Sequence, residues 1–132
     1  MFAAAGGLLR DYNGNWIVGF IRYLGNCEVI DSELWGILDE LKIALDRGFQ
    51  KVIIRTNNLE AVNIINQGVR GGSNSALVRR ILLFLKLLSY WNLQHIPREE
   101  NKIVDNIVKA RRDREPRLRL IDKNYVMSFL NV

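Results

Sequence analysis

Glu33, Asp105, His95 and the amide pair Asn57-Asn58 are the residues of this chain whose types and settings could do chemistry. Glu33 falls one residue off the apolar stripe Leu34, Ile37, Leu38, Leu41 and Leu45. It is therefore turned about 100° around a helix from the core face and is free to point at a site. An acid in a first helical turn also suits the helix dipole. Asp105 interrupts the apolar set Ile103, Val104, Ile107 and Val108, and a carboxylate beside such a face either reaches out to water or serves a site. His95, the one histidine, sits at a strand end and belongs to the side-chain type that titrates near neutrality. Asn57 and Asn58 close the run "VIIRT" and precede an apolar-periodic helix. An amide there offers a neutral oxygen, and a helix-capping role for Asn57 follows. Between Lys109 and Arg119 stand six basic residues, Lys109, Arg111, Arg112, Arg114, Arg117 and Arg119, against Asp113 and Glu115. A polyanion is the natural partner of such a cluster; a helix end complementing its own dipole is the plainer alternative.

The elements that would position these residues can be read from pattern. "AAAGGLLRDYNGNWIVGFIRYLG" holds two extended runs around Asn13-Gly14, a dipeptide that tolerates the positive φ angles of a tight hairpin turn. Asp31 or Ser32 is placed to cap the helix carrying Glu33, and Gly48 to end it in the left-handed conformation. "FQKVIIRT" reads as a buried strand, and Leu59, Val62 and Ile65 as a brief helix broken by the loop "GVRGGSNS". Ala76 to Trp91 reads as a helix buried on most sides, "LQHIP" as a last short strand, and residues 101 to 112 as a helix stopped before Pro116. The order is hairpin, helix, strand, helix, helix, strand, helix, an α/β layer with mixed strand directions.

At 132 residues and 48% hydrophobic content, the chain suits one domain with one core. A lone cysteine, Cys27, excludes an internal disulfide framework and suits a reducing compartment. The N-terminus lacks a basic signal-peptide region, and the greasiest stretch, "ILLFLKLLSYW", is interrupted by Lys86 and too short to span a bilayer. The expectation is an intracellular protein without a membrane span.

Three stretches, "GGLLRDYNGNWIVGF", "SELWGILDELKIALDRGFQKVIIRTNN" and "HIPREENKIVDNIV", together resemble the ribonuclease H-like domain of plant non-LTR retroelement reverse transcriptases and their stand-alone relatives. The resemblance runs in unbroken order over roughly residues 3 to 122. It implies a mixed five-stranded sheet flanked by helices and a site where carboxylates from separate elements hold two Mg²⁺ ions. Two hard cations beside a scissile phosphate need several anionic oxygens to offset their mutual repulsion. The implied substrate is the RNA strand of an RNA-DNA hybrid, told from DNA by its 2′-hydroxyls.

Carried over residue by residue, the helix glutamate matches Glu33 and the last-helix aspartate matches Asp105, the two implied catalytic acids and metal ligands. The strand-end aspartate falls on Asn57, in "TNN" where the family usually has Thr-Asp-Ser. His95 matches a loop histidine that assists proton transfer or product release. Lys109, Arg111, Arg112 and Arg114 are the implied nucleic-acid contacts. The family's first, central strand and its aspartate lie upstream of the segment matched by "FAAAGG", so that strand is expected to be missing from this chain. Its place would fall to the C-terminal "LRLID", to a second chain associating through the exposed sheet edge, or to residues outside this sequence. The resemblance thus implies a nucleic-acid-binding domain related to hybrid ribonucleases, catalytically impaired and weak in Mg²⁺ binding. An active two-Mg²⁺ ribonuclease and a structural or protein-interaction relic of a retroelement are the alternatives.

Overall fold

The computed structural model describes residues 2–10, 16–97, 118–121 and 130–131, the two C-terminal stretches as backbone alone. The element order is β1 (Phe2–Arg10), β2 (Trp16–Asn26), α1 (Val29–Asp46), β3 (Lys51–Thr56), α2 (Leu59–Gly71), α3 (Ala76–Leu87), β4 (Tyr90–His95), β5 (Leu118–Ile121) and β6 (Leu130–Asn131). The expected hairpin forms, with β1 and β2 antiparallel from Phe2↔Asn26 to Arg10↔Trp16. Its tip, with Asn13-Gly14, lies outside the described residues, as does the helix expected over residues 101 to 112.

Among the described residues the sheet is mixed, as expected, but has six strands in the order β4-β3-β6-β1-β2-β5 rather than five. Both additional pairings come from the C-terminal segment. The central slot between β1 and β3 is taken by β6, antiparallel to β1 and parallel to β3. "LRLI", offered above as a filler of that slot, instead lies antiparallel to β2 on the outer edge as β5. The physical reason is the same in both places: an open strand edge leaves backbone N–H and C=O groups unpaired, and the tail supplies partners to two such edges.

The apolar stripe of α1 does what its spacing dictates. Leu34, Ile37, Leu38 and Leu41 are buried against Leu9, Val18 and Phe20 of the hairpin, Val52 and Ile54 of β3, and Val78, Ile81 and Leu85 of α3. Full burial of each such side chain contributes about 1.5–3 kcal/mol. Successive strand residues point to opposite faces, yet Leu8 and Leu9 are 1% and 6% exposed, and Phe20 and Ile21 are both 0% exposed. Both faces of the hairpin are therefore covered. Among the described residues, no helix is long and apolar enough to cross a membrane.

Several element boundaries differ from the sequence reading. The first helix begins at Val29 with Glu28 at its N-cap, and neither Asp31 nor Ser32 caps it. Ser32 is buried, and its hydroxyl donates back to the Glu28 carbonyl at 3.2 Å. Gly48 does end the helix in the left-handed region, at φ +83°. The fourth-strand segment starts earlier than "LQHIP", at Tyr90, so Trp91 belongs to β4 and not to the preceding helix. Only one stripe of α3 is fully buried, Val78, Ile81 and Leu85, while Leu83 and Leu87 are exposed.

The largest revision is α2, which runs on through "GVRG" to Gly71. Gly68 makes this possible by close approach: a Cβ there would lie 3.1 Å from Leu82 Cδ1 and 3.3 Å from Val78 Cγ1 on α3. The loop signal was thus a helix-packing contact, and the chain turns only at Gly72, with φ +78°. A Gly68→Leu substitution is expected to force α2 and α3 apart and lower stability by about 2 kcal/mol. An unchanged urea midpoint would show that the two helices do not meet at this residue.

Candidate active site

The C-terminal ends of the two parallel strands β3 and β4 meet the start of α1 and the start of α2, and the chemistry-bearing residues gather there. In β3 the burial alternates, so Val52, Ile54 and Thr56 face α1. Thr56, fully buried, is the hub. Its hydroxyl donates to Glu33 Oε1 and accepts the backbone N–H of Asn58 at 3.0 Å. Asn58, not Asn57, caps α2, its Oδ1 accepting the Ala61 N–H at 3.0 Å. The expectation for Asn57 is corrected by one position: Thr56 already holds the Asn58 N–H, which sets Asn58 as the last extended residue, at φ −97° and ψ 100°.

Asn57 is half-buried between them. Its carbonyl oxygen lies 3.2 Å from Nε2 of the exposed His95, the residue paired with Thr56 across the parallel ladder. The Ile96 N–H donates to the Thr56 carbonyl at 2.9 Å and holds the end of β4 in place. The structure therefore brings Glu33, Asn57 and His95 to one end of the sheet. Asp105 and the basic residues Lys109, Arg111, Arg112 and Arg114 lie outside the described residues.

Glu33 is not the free, outward-pointing acid that its helical position suggested. It is 2% exposed, and burial raises its carboxyl to about 7, with the Thr56 hydrogen bond pulling only partly the other way. The expected 100° turn away from the stripe is real, but it aims the side chain at β3 and the slot beside it. A second acid was missed entirely. Glu40 lies seven residues on, two helical turns along the same face, and is 0% exposed, with no hydrogen-bond partner for either carboxylate oxygen among the described residues. Its carboxyl is pushed well above the ordinary range, first by burial and then by the neighbouring Glu33, with Arg55 opposing. The signal was available: Glu40 sits between Ile37 and Ala44 on the buried stripe, where a carboxylate has no reason to be solvated.

A third buried acid has a structural role. Asp39 receives Arg22 Nε at 2.6 Å and a second guanidinium N–H at 3.0 Å, which fastens α1 to β2. Arg22 also stacks 5.1 Å from the Trp35 ring, with Arg80 at 5.9 Å from the same ring. Burial raises the Asp39 carboxyl, and Arg22 draws it back.

Toward a pair of divalent cations the described residues offer Glu33 and the neutral amide of Asn57, and Asp105 lies outside them. Among the described residues there is no group of three or more His, Cys, Asp or Glu side chains that could hold a metal ion. Asn57 can offer only a neutral oxygen, and Glu33 is tied to Thr56 and titrates near neutrality.

A mixed sheet with helices, a hairpin opening the chain and polar residues at the ends of β3 and β4 define a ribonuclease H-like domain. The crystal structure of RNase H1 from the halophilic archaeon Halobacterium salinarum superposes with a TM-score of 0.66 at 22% identity, over 80% of this chain and 81% of that one. The N-terminal RNase H domain of a Mycobacterium tuberculosis protein, solved as a fusion with maltose-binding protein, gives 0.57 at 14% identity, over 80% and 92%. At those identities the likeness establishes the fold alone. The sequence itself goes further: residues 2–111 match the family described as reverse transcriptase-like, and the chain belongs to that family. An Arabidopsis thaliana protein named for ribonuclease H is 31% identical over 106 residues, which is 80% of this chain but 17% of the relative.

The raised carboxyl of Glu33 has a consequence for stability. The unfolded chain releases this proton near 4.5, whereas the folded chain keeps it to about 7. The folded state therefore binds more protons across that window, and stability falls as pH rises through it. A fall of the order of 3 kcal/mol is expected from this group. In urea melts from pH 4.5 to 7.5, Glu33→Gln should flatten that fall, while the part due to Glu40 persists. Parallel curves for variant and wild type would show that Glu33 is not held in its protonated form.

Proposed function

We propose that this domain binds nucleic acid as a ribonuclease H-like module with impaired hydrolysis. One observation carries the reading: the end of β3, beside Glu33, presents the amide Asn57 in place of an anionic oxygen. The strand lying between Thr56 and Gly7 contributes Leu130 at that level and no carboxylate. With its carboxyl raised to about 7 by burial, Glu33 carries only part of a negative charge near neutrality. Mg²⁺, which the family resemblance implies, needs several anionic oxygens to bind as a close pair. Asp105, the implied second acid, would add one.

Binding does not share that requirement. Backbone recognition needs clustered cations, and Lys109, Arg111, Arg112 and Arg114 provide them in the sequence. Each phosphate neutralised contributes about −0.9 to the slope of log affinity against log salt on duplex DNA. His95, exposed at the end of β4, holds the Asn57 carbonyl with Nε2 and offers its other ring nitrogen to a phosphate. An RNA-DNA hybrid is the ligand the family resemblance favours. The Arabidopsis relative carries ribonuclease H in its name, which supports the same class of partner.

A labelled RNA-DNA hybrid incubated with the chain and Mg²⁺ or Mn²⁺ is expected to remain intact. Its affinity should fall with salt at a slope of about −3.6, and should fall further when Arg111 and Arg112 are both changed to Ala. Cleavage that disappears in Glu33→Ala would overturn the impairment. Absence of binding at low salt would leave a structural or interaction role. Asn57→Asp is the informative gain-of-function variant, because it restores one anionic oxygen without moving the backbone.

A further inference from the structure

On the side of α1 away from Glu33, three cations converge on one carboxylate and one indole ring. Trp35, Asp39 and Lys42 follow one another at spacings of four and three residues, and so share one stripe of the helix. Trp35 comes two residues after Glu33, about 200° round the helix axis. Asp39 is 2% exposed and takes two N–H groups of Arg22 from β2. Arg22 Cζ also lies 5.1 Å from the centre of the Trp35 ring, and Arg80 Cζ, from α3, lies 5.9 Å from the same centre. Arg80 stands three residues after Leu77 and four before Phe84, both half-buried against the core, so its stem shares an apolar stripe while its head stays exposed. Lys42 is exposed one turn beyond Asp39, and its charge acts on that carboxylate together with those of Arg22 and Arg80.

Within this group Arg22 and Asp39 offset each other, and Arg80 and Lys42 are the cations it presents to solvent. An indole face orients a guanidinium laid on it and leaves the N–H edge for acceptors in its plane. The preceding residue is used differently: Arg79 donates to the carbonyls of Ser73 at 3.3 Å and Asn74 at 2.8 Å, and holds the turn before α3. The chain around Arg80 carries the same sign of charge. Residues 61 to 97 contain Arg70, Arg79, Arg80 and Lys86 and neither Asp nor Glu. A long polyanion suits such a stretch better than a single acidic side chain does.

We propose that Arg80 and Lys42 hold a phosphodiester of a bound nucleic acid at the Trp35 stripe, on the opposite side of α1 from Glu33. This contact rests on the nucleic-acid binding proposed above, and adds one phosphate to those assigned to the basic segment. Arg80 supplies the fork that matches two phosphate oxygens, and Lys42 a point charge beside it. Asp39 is a positioning residue: by anchoring Arg22 against the indole it fixes the ring on which Arg80 rests. The contact needs no metal ion and is indifferent to the charge of Glu33, which faces the other side of the helix.

The test titrates the full chain against a labelled RNA-DNA hybrid at several salt concentrations. Lys42→Gln combined with Arg80→Gln is expected to weaken binding about tenfold at low salt, and to make the salt slope shallower by about 0.9, the share of one phosphate. Both side chains are exposed, and an unchanged circular-dichroism spectrum checks that the variant is folded. Arg79→Gln removes a neighbouring charge but no member of the stripe, and should leave affinity and slope as they are. Arg80→Lys keeps the charge but loses the fork, and should recover only part of the loss seen in Arg80→Gln. Equal losses from Arg79→Gln and Arg80→Gln would reduce the site to diffuse charge. Displacement of the hybrid by polyglutamate as effectively as by an oligonucleotide of equal charge would assign the surface to an acidic protein. Either result overturns the proposal. Wild-type binding that the double variant leaves unchanged overturns it too, with the nucleic-acid reading intact, whereas no wild-type binding at low salt removes both.

Discussion

A strand in the middle of a sheet must pair on both sides, and in this chain that requirement is concentrated on the slot between β1 and β3. Every hydrogen-bonding group left on those two edges would sit beneath α1, away from water, at a cost of about 1–3 kcal/mol each. The C-terminal segment meets the requirement by entering the slot as β6, parallel to β3 and antiparallel to β1. That orientation keeps the sheet mixed, lets α1 pack across β1, β3 and β6, and holds the Thr56 end of β3 against Glu33. The architecture of a ribonuclease H-like domain is thereby assembled with a late segment of the chain in a central place.

The same slot governs the electrostatics. Glu33 and Glu40 both point from α1 toward it, and both are shielded from solvent. A hydroxyl from Thr56 satisfies one of them. Burial displaces both carboxyls upward, and the neighbouring Glu33 adds to the displacement of Glu40. Thr56 also links the acid to the neighbouring helix, because the hydroxyl that donates to Glu33 accepts the Asn58 N–H. A change in the charge of Glu33 is thus felt at the start of α2 through one side chain.

Much of this was legible from pattern, and the failures have identifiable causes. The hairpin, the α1 stripe and the β3 strand followed from periodicity, since each buries one face against a common core. The end of α2 did not, because Gly68 has two physical uses, chain reversal and close helix contact, and only the position of Leu82 and Val78 decides between them. The cap of α2 slipped by one residue because Asn57 and Asn58 are chemically equivalent on paper; the Thr56 hydroxyl breaks the tie. Glu40 escaped notice because a glutamate in a helix ordinarily reads as solvated, and its burial depends on what lies opposite in the sheet. The destination of the tail was open for a related reason: strand pairing between distant segments is set by which edges are vacant, and a vacancy is a property of the folded chain.

At the ends of β3 and β4 these features set the charge that the described residues present. The first turn of α2 carries the positive end of its dipole beside the uncharged Asn57, with Glu60 as the acid of that turn. Glu33 supplies a partial negative charge near neutrality, and Arg55 lies close enough to act on Glu40. Two divalent ions a few ångströms apart repel each other strongly, and only clustered anions hold them. Among the described residues, Glu33 and the neutral amide of Asn57 are what this end of β3 offers to a metal ion. On the function proposed above, charge at this end of the sheet is what would separate binding from hydrolysis.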